Sequence, residues 1–144
     1  MSNDGYTTLE QAVTLSKCGV FAGTSDGHYV LHTPDGSIWS FFNHKADKFD
    51  KNTVAAWSLG AVLGIMPKVI KDNKGVVYHL DVNSRYTDDG HFEWVVKYES
   101  DEYSLTWLKI FDTSMMAALV NAYQRIIDVV IKDELTILLE YVEH

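Results

Sequence analysis

The stretch Tyr78-His79-Leu80-Asp81-Val82-Asn83-Ser84-Arg85-Tyr86-Thr87-Asp88-Asp89-Gly90-His91-Phe92-Glu93-Trp94-Val95-Val96-Lys97-Tyr98 decides the fold. Its two arms alternate apolar and polar residues around an Asp-Gly turn. That is the pattern of an antiparallel hairpin with one buried face. Tyr78, Leu80, Val82, Phe92, Trp94, Val96 and Tyr98 fall on the inner face, leaving His79, Asp81, Asn83, His91, Glu93 and Lys97 outside. The segment Asp72-Asn73-Lys74-Gly75 supplies a turn before it and extends the hairpin into a meander over about 68–99.

A second meander is expected upstream, where Asp26-Gly27 and Asp35-Gly36 sit between runs rich in aromatic and β-branched residues. Glycine tolerates the positive φ these turns need, and aspartate bonds back onto its own turn. Three strands are predicted at about 20–24, 28–33 and 37–42. Placing Thr33 opposite Ser37 sets Leu31 against Trp39 and Tyr29 against Phe41.

Helices are predicted around the meanders. Thr7 and Glu10 have capping-box spacing, and Gly19 ends that helix. A second runs from Val54 to Met66, with Gly60 and Gly64 packed close to the sheet and Pro67 marking its end. Tyr103 to Phe111 reads as a strand. Asp112, Thr113 or Ser114 then caps a helix with Met115, Leu119, Ala122, Ile126 and Val130 inside. Ile131, Leu135, Leu138 and Val142 keep helical spacing, so the helix either breaks near Lys132-Asp133 or projects to pair with a second copy as a homodimer. The fold expected is α+β: about six to seven strands in antiparallel β-meanders packed against three to four helices. Residues 1–144 are taken as a single domain, the usual outcome for this length.

Charge narrows the function classes. The net charge of −8 arises beyond residue 87, where 12 acids face 4 Lys/Arg. With only two arginines and this acidic balance, nucleic acid is disfavoured as a partner, and a protein with a basic patch is favoured. Cys18 is the one cysteine, which fits a reducing compartment, and Met1-Ser2-Asn3-Asp4-Gly5 lacks the basic start and apolar stretch of a signal peptide. The uncharged run from Val54 to Met66 is too short to span a bilayer. A cytoplasmic location without membrane attachment is the expectation.

Phosphate-binding, nucleotide-binding, nucleophile-elbow and zinc-protease signatures are all missing from the sequence. The reading favoured is a non-catalytic binding module of inhibitor or adaptor type. Aromatic anchors would sit in an acidic rim of Asp88, Asp89, Glu99, Asp101 and Glu102. The alternative is a small-ligand binder or metal-assisted hydrolase on the outward face of the 76–98 hairpin. If Asp81 lies opposite Glu93, with His79 and His91 beside them, the four form a ligand set for a divalent metal. The other histidine group, His28, His32 and His44, is excluded as a joint site, because strand residues four apart stand about 13 Å apart.

Overall fold

The computed structural model describes residues 3–102 and 104–138. It is α+β, with two antiparallel sheets, and the chain divides into two compact units, Met1–Ile65 and Met66–His144.

The first unit opens with helix α1 (Leu9–Lys17), capped by Thr8 rather than Thr7. Thr8 Oγ1 accepts from the Gln11 amide at 3.2 Å, and Gln11 Oε1 accepts from the Thr8 amide at 2.9 Å. The displaced Thr7 is fully buried and ties the chain entry to Trp57: its amide donates to the Trp57 carbonyl at 2.8 Å, and its hydroxyl oxygen accepts from the Trp57 amide at 3.1 Å. The helix ends as expected at Gly19, φ +86°, with the Val20 and Gly19 amides bonded back to the Leu15 and Ser16 carbonyls.

Strands β1 (Gly27–Leu31), β2 (Trp39–Phe42) and β3 (Thr53–Ala56) form a sheet in the order β2-β1-β3. Tyr29 pairs with Phe41 and Leu31 with Trp39, the expected register. Four expectations fail here. Residues 20–24 do not form a strand, and Ala22–Thr24 make a single 3-10 turn. Asp26-Gly27 is not a hairpin turn: Gly27 lies inside β1, where a Cβ would stand 2.9 Å from the Tyr6 ring, while Asp26 accepts from the Ser58 amide at 2.7 Å. The helix expected over 54–66 shortens to α2 (Leu59–Ile65), because Val54-Ala55-Ala56 complete the sheet beside β1. Gly60 and Gly64 are exposed, with open space where a Cβ would be, so they make no close contact with the sheet.

In the second unit β4 (Val69–Asp72), β5 (Val77–Tyr86), β6 (Phe92–Glu99), β7 (Thr106–Asp112) and β8 (Leu135–Leu138) form a sheet in the order β7-β6-β5-β4-β8. Helix α3 (Met115–Ile131), capped by Ser114, packs Ala118, Leu119, Ala122 and Ile126 onto this sheet. Tyr78, Val96, Tyr98, Leu108 and Ile110 supply the buried sheet residues of the same parity. The helix does break at Lys132-Asp133, where Asp133 takes φ +60°. Beyond the break the helical expectation fails: residues 135–138 turn back as a strand antiparallel to β4, and Leu135 is buried in the core. The stripe proposed for a homodimer is therefore divided between a helix end and a sheet, and Val142 lies outside the described residues. Among the described residues no helix is long and apolar enough to cross a membrane.

Candidate functional site

The β5–β6 hairpin is longer and more tightly turned than alternation alone predicts. Thr87 closes the loop, with its amide donating to the His91 carbonyl at 2.7 Å and its carbonyl accepting from the Gly90 amide at 2.9 Å. Gly90 sits at φ +83°. Thr87 Oγ1 also donates to the Asp89 carboxylate and accepts from the His91 amide. The Thr33–Ser37 loop of the first unit repeats the device: the Ser37 amide donates to Thr33 Oγ1, the Gly36 amide to the Thr33 carbonyl, and Gly36 takes φ +78°. A threonine before Asp-Gly thus supplies a side-chain clasp for the left-handed glycine.

This tight turn carries β5 out to Tyr86 and sets the pairing His79 with Glu99, Asp81 with Lys97, Arg85 with Glu93 and Tyr86 with Phe92. The expected opposition of Asp81 and Glu93 is off by four residues. An even slip preserves which side chains share a face and changes which of them meet. The two carboxylates stand on rungs about 13 Å apart. Asp81 instead lies 3.6 Å from Lys97 Nζ and accepts from Asn83, while Glu93 accepts from Arg85 Nε at 2.6 Å. His91 is in the turn, 3.6 Å from Asp89, and His79 is at the far end of β5. His79, Asp81, His91 and Glu93 are not brought together, and no group of three or more His, Cys, Asp or Glu among the described residues could hold a metal ion.

The same extension assembles an aromatic cluster that the hydrophobic pattern does not reveal. Tyr86, Phe92 and Trp94 have the parity of the buried core residues Val96 and Tyr98, yet Tyr86 is 76% exposed and Phe92 40%, against 0% for Val96 and Tyr98. Tyr86 and Phe92 lie 5.7 Å apart and Phe92 and Trp94 5.4 Å, both edge to face. Such contacts hold rings in place against each other without a covering layer. On the opposite parity the Arg85 guanidinium, held by Glu93, lies 4.3 Å over the Phe111 ring, and Lys109 Nζ lies 5.3 Å from it. Phe111 is itself 41% exposed. Aromatic residues thus stand on both faces of the sheet near the hairpin end, Tyr86 and Phe92 on one and Phe111 of β7 on the other.

Of the expected acidic rim, Asp88 and Asp89 stand exposed at the turn beside Tyr86 and Phe92. The Thr87 hydroxyl bond, aided by the His91 amide, holds the Asp89 carboxyl below its ordinary range, so it stays ionised. Glu99, Asp101 and Glu102 gather at the other end of β6, about 23 Å along the strand. Glu99 there lies 3.3 Å from Lys97 Nζ, and Lys97 links it to Asp81 in a local surface ladder. Tyr86 carries a legible signal: it and Phe92 flank Thr87–His91 symmetrically, and two aromatics on the first paired rung beyond a tight loop lie farthest from the core.

The chain matches no protein-family model, no curated protein and no solved structure.

Proposed function

We propose that the protein is a non-catalytic binding module of inhibitor or adaptor type, cytoplasmic, that engages another protein through the end of the β5–β6 hairpin. The observation that carries this reading is the packed run Tyr86, Phe92 and Trp94, with Tyr86 and Phe92 exposed, beside Asp88 and Asp89. Rings already held by their neighbours lose little side-chain freedom on binding, and aromatic residues are the commonest anchors of protein interfaces. Asp88 and Asp89 add a negative edge, which selects a partner with a basic patch around an apolar recess and speeds its approach. Glu99, Asp101 and Glu102 contribute to the long-range field rather than to the contact.

The test is capture of the partner from the protein's own cells with wild-type chain, a Tyr86→Ser/Phe92→Ser variant and an Asp88→Lys/Asp89→Lys variant, each checked for unchanged thermal unfolding. The aromatic variant should lose the partner outright. The charge-reversed one should associate more slowly, with an effect that shrinks as salt rises. A partner retained equally by all three chains would refute the reading.

A further inference from the structure

The first unit contains a groove of about 390 Å³ along the outer side of β3, bounded by Val13, Ser16 and Lys17 of α1, by Ala22 and by Phe49. Thr53, Val54 and Ala55 of β3 also line it. It is independent of the hairpin end, which belongs to the other unit. Its volume is in the range of small-ligand sites, which run from about 300 to 1,000 Å³. The walls are methyl, isopropyl and phenyl groups, and the polar groups are few: two hydroxyls and one ammonium.

That ammonium is the one charged group among the residues that line the groove. Lys17 makes no ion pair among the described residues, although the chain has a net charge of −8. It stands in the last turn of α1, whose carbonyls would otherwise present negative charge beside it. Several of those carbonyls are already occupied, since Thr14, Leu15 and Ser16 accept from the amides of Cys18, Val20 and Gly19. An apolar body in the groove would thus meet one positive charge that has no carboxylate partner among the described residues.

We propose that this groove binds a small apolar molecule carrying a single carboxylate, with the hydrocarbon part against Val13, Ala22, Phe49 and Val54 and the carboxylate on Lys17 Nζ. Ser16 and Thr53, which line the same groove, would supply the hydroxyl donors for the remaining carboxylate lone pairs. An amine of equal length would bring like charge to Lys17, and an alcohol would forgo the ion pair.

Three probes of one chain length separate these features: octanoate, octylamine and 1-octanol, each titrated into ¹⁵N-labelled full-length protein and followed by amide shifts. Octanoate should give saturable shifts confined to the amides of Val13, Ser16, Lys17, Ala22 and Val54. 1-Octanol should bind at the same place about fivefold more weakly, the scale of one exposed charge pair. Lys17→Glu should remove the advantage of octanoate and transfer it to octylamine. Ser16→Phe, at an exposed helix position that leaves the core untouched, should block all three while retaining a folded amide spectrum. Octanoate shifts that fail to saturate or that map elsewhere would overturn the proposal, as would equal binding of octanoate and 1-octanol, or a Lys17→Glu chain with unchanged preference.

Discussion

Replacing Tyr98 with phenylalanine should destabilise the sheet that carries the aromatic hairpin, in a way that depends on pH. Tyr98 is fully buried on β6, and its hydroxyl donates to the Pro67 carbonyl at 2.7 Å. Tyr98→Phe keeps the ring and almost all of the apolar burial, so the cost lies in the lost hydrogen bond and in a buried carbonyl left unpaired. That cost is about 1–3 kcal/mol at neutral pH. For a chain of this length it lowers the unfolding midpoint by about 2–4 °C for each kcal/mol. Burial also pushes the Tyr98 phenol well above its ordinary value. A group whose folded pKa is raised contributes stability that is complete below the unfolded value and declines as pH rises past it, here about 10. The phenylalanine chain has no proton to lose at this position. The difference between the two chains should therefore be largest near neutrality and shrink above pH about 10. Urea unfolding of both chains at several pH values, with unchanged slope, measures it. Equal midpoints at pH 7, or a gap that widens in alkali, would refute the assignment of Tyr98 as a buried donor.

Two glycines should respond to alanine in opposite directions. Gly27→Ala would place a methyl 2.9 Å from the Tyr6 ring and 3.2 Å from the Phe42 backbone oxygen, costing about 1–3 kcal/mol. Gly60→Ala, exposed in α2 with open space around it, should stabilise by about 0.5–1 kcal/mol; thermal unfolding of the pair compares them directly, and the same sign for both would contradict the placement of these segments. Asp35 accepts from the Ser37 hydroxyl, the largest cause, then the Thr33 hydroxyl and the Ser37 amide, which hold its carboxyl down to about 2. Its contribution to stability is accordingly present above pH about 4 and lost as pH falls from there through about 2. Carboxyl resonances followed by NMR should show this midpoint, and Ser37→Ala should raise it; an Asp35 titrating near 4 in the unaltered chain would contradict the clasped turn.

Much of the sheet pairing was legible because it depends on parity and on local turn chemistry. Tyr29 against Phe41, the inward set Tyr78, Val96 and Tyr98, the strand before Asp112 and the stop at Gly19 all derive from alternation or from a glycine that must take positive φ. The failures have equally local causes. Thr7-Thr8 and Glu10-Gln11 offer two capping boxes one residue apart, and burial of Thr7 against Trp57, fifty residues away, selects the second. Val54-Ala55-Ala56-Trp57 suits a buried strand or a helix equally, and pairing with β1 settles it. Leu135 and Leu138 keep a helical interval, but β4 recruits them as an edge strand from more than sixty residues upstream.

The site was half legible for the same reason. Asp88, Asp89 and the aromatics of the second arm were visible in the sequence, whereas the four-residue slip in register, which disperses the carboxylates and builds the Tyr86–Phe92 rung, depends on where the turn closes. Thr87 closes it, and a side-chain clasp on a turn leaves little trace in hydrophobic pattern.

The central claim, that the hairpin end is the surface meeting the partner, is tested most directly by site-specific photo-crosslinking in the protein's own cells. A photoreactive phenylalanine replaces Tyr86 in one chain and Phe21 in another, two aromatic positions equally exposed at 76% and in different units. The account predicts one discrete covalent adduct with a protein from position 86, formed more slowly when Asp88 and Asp89 are changed to lysine, and none of that mass from position 21. The same adduct from both positions, or an adduct from position 21 alone, would contradict it.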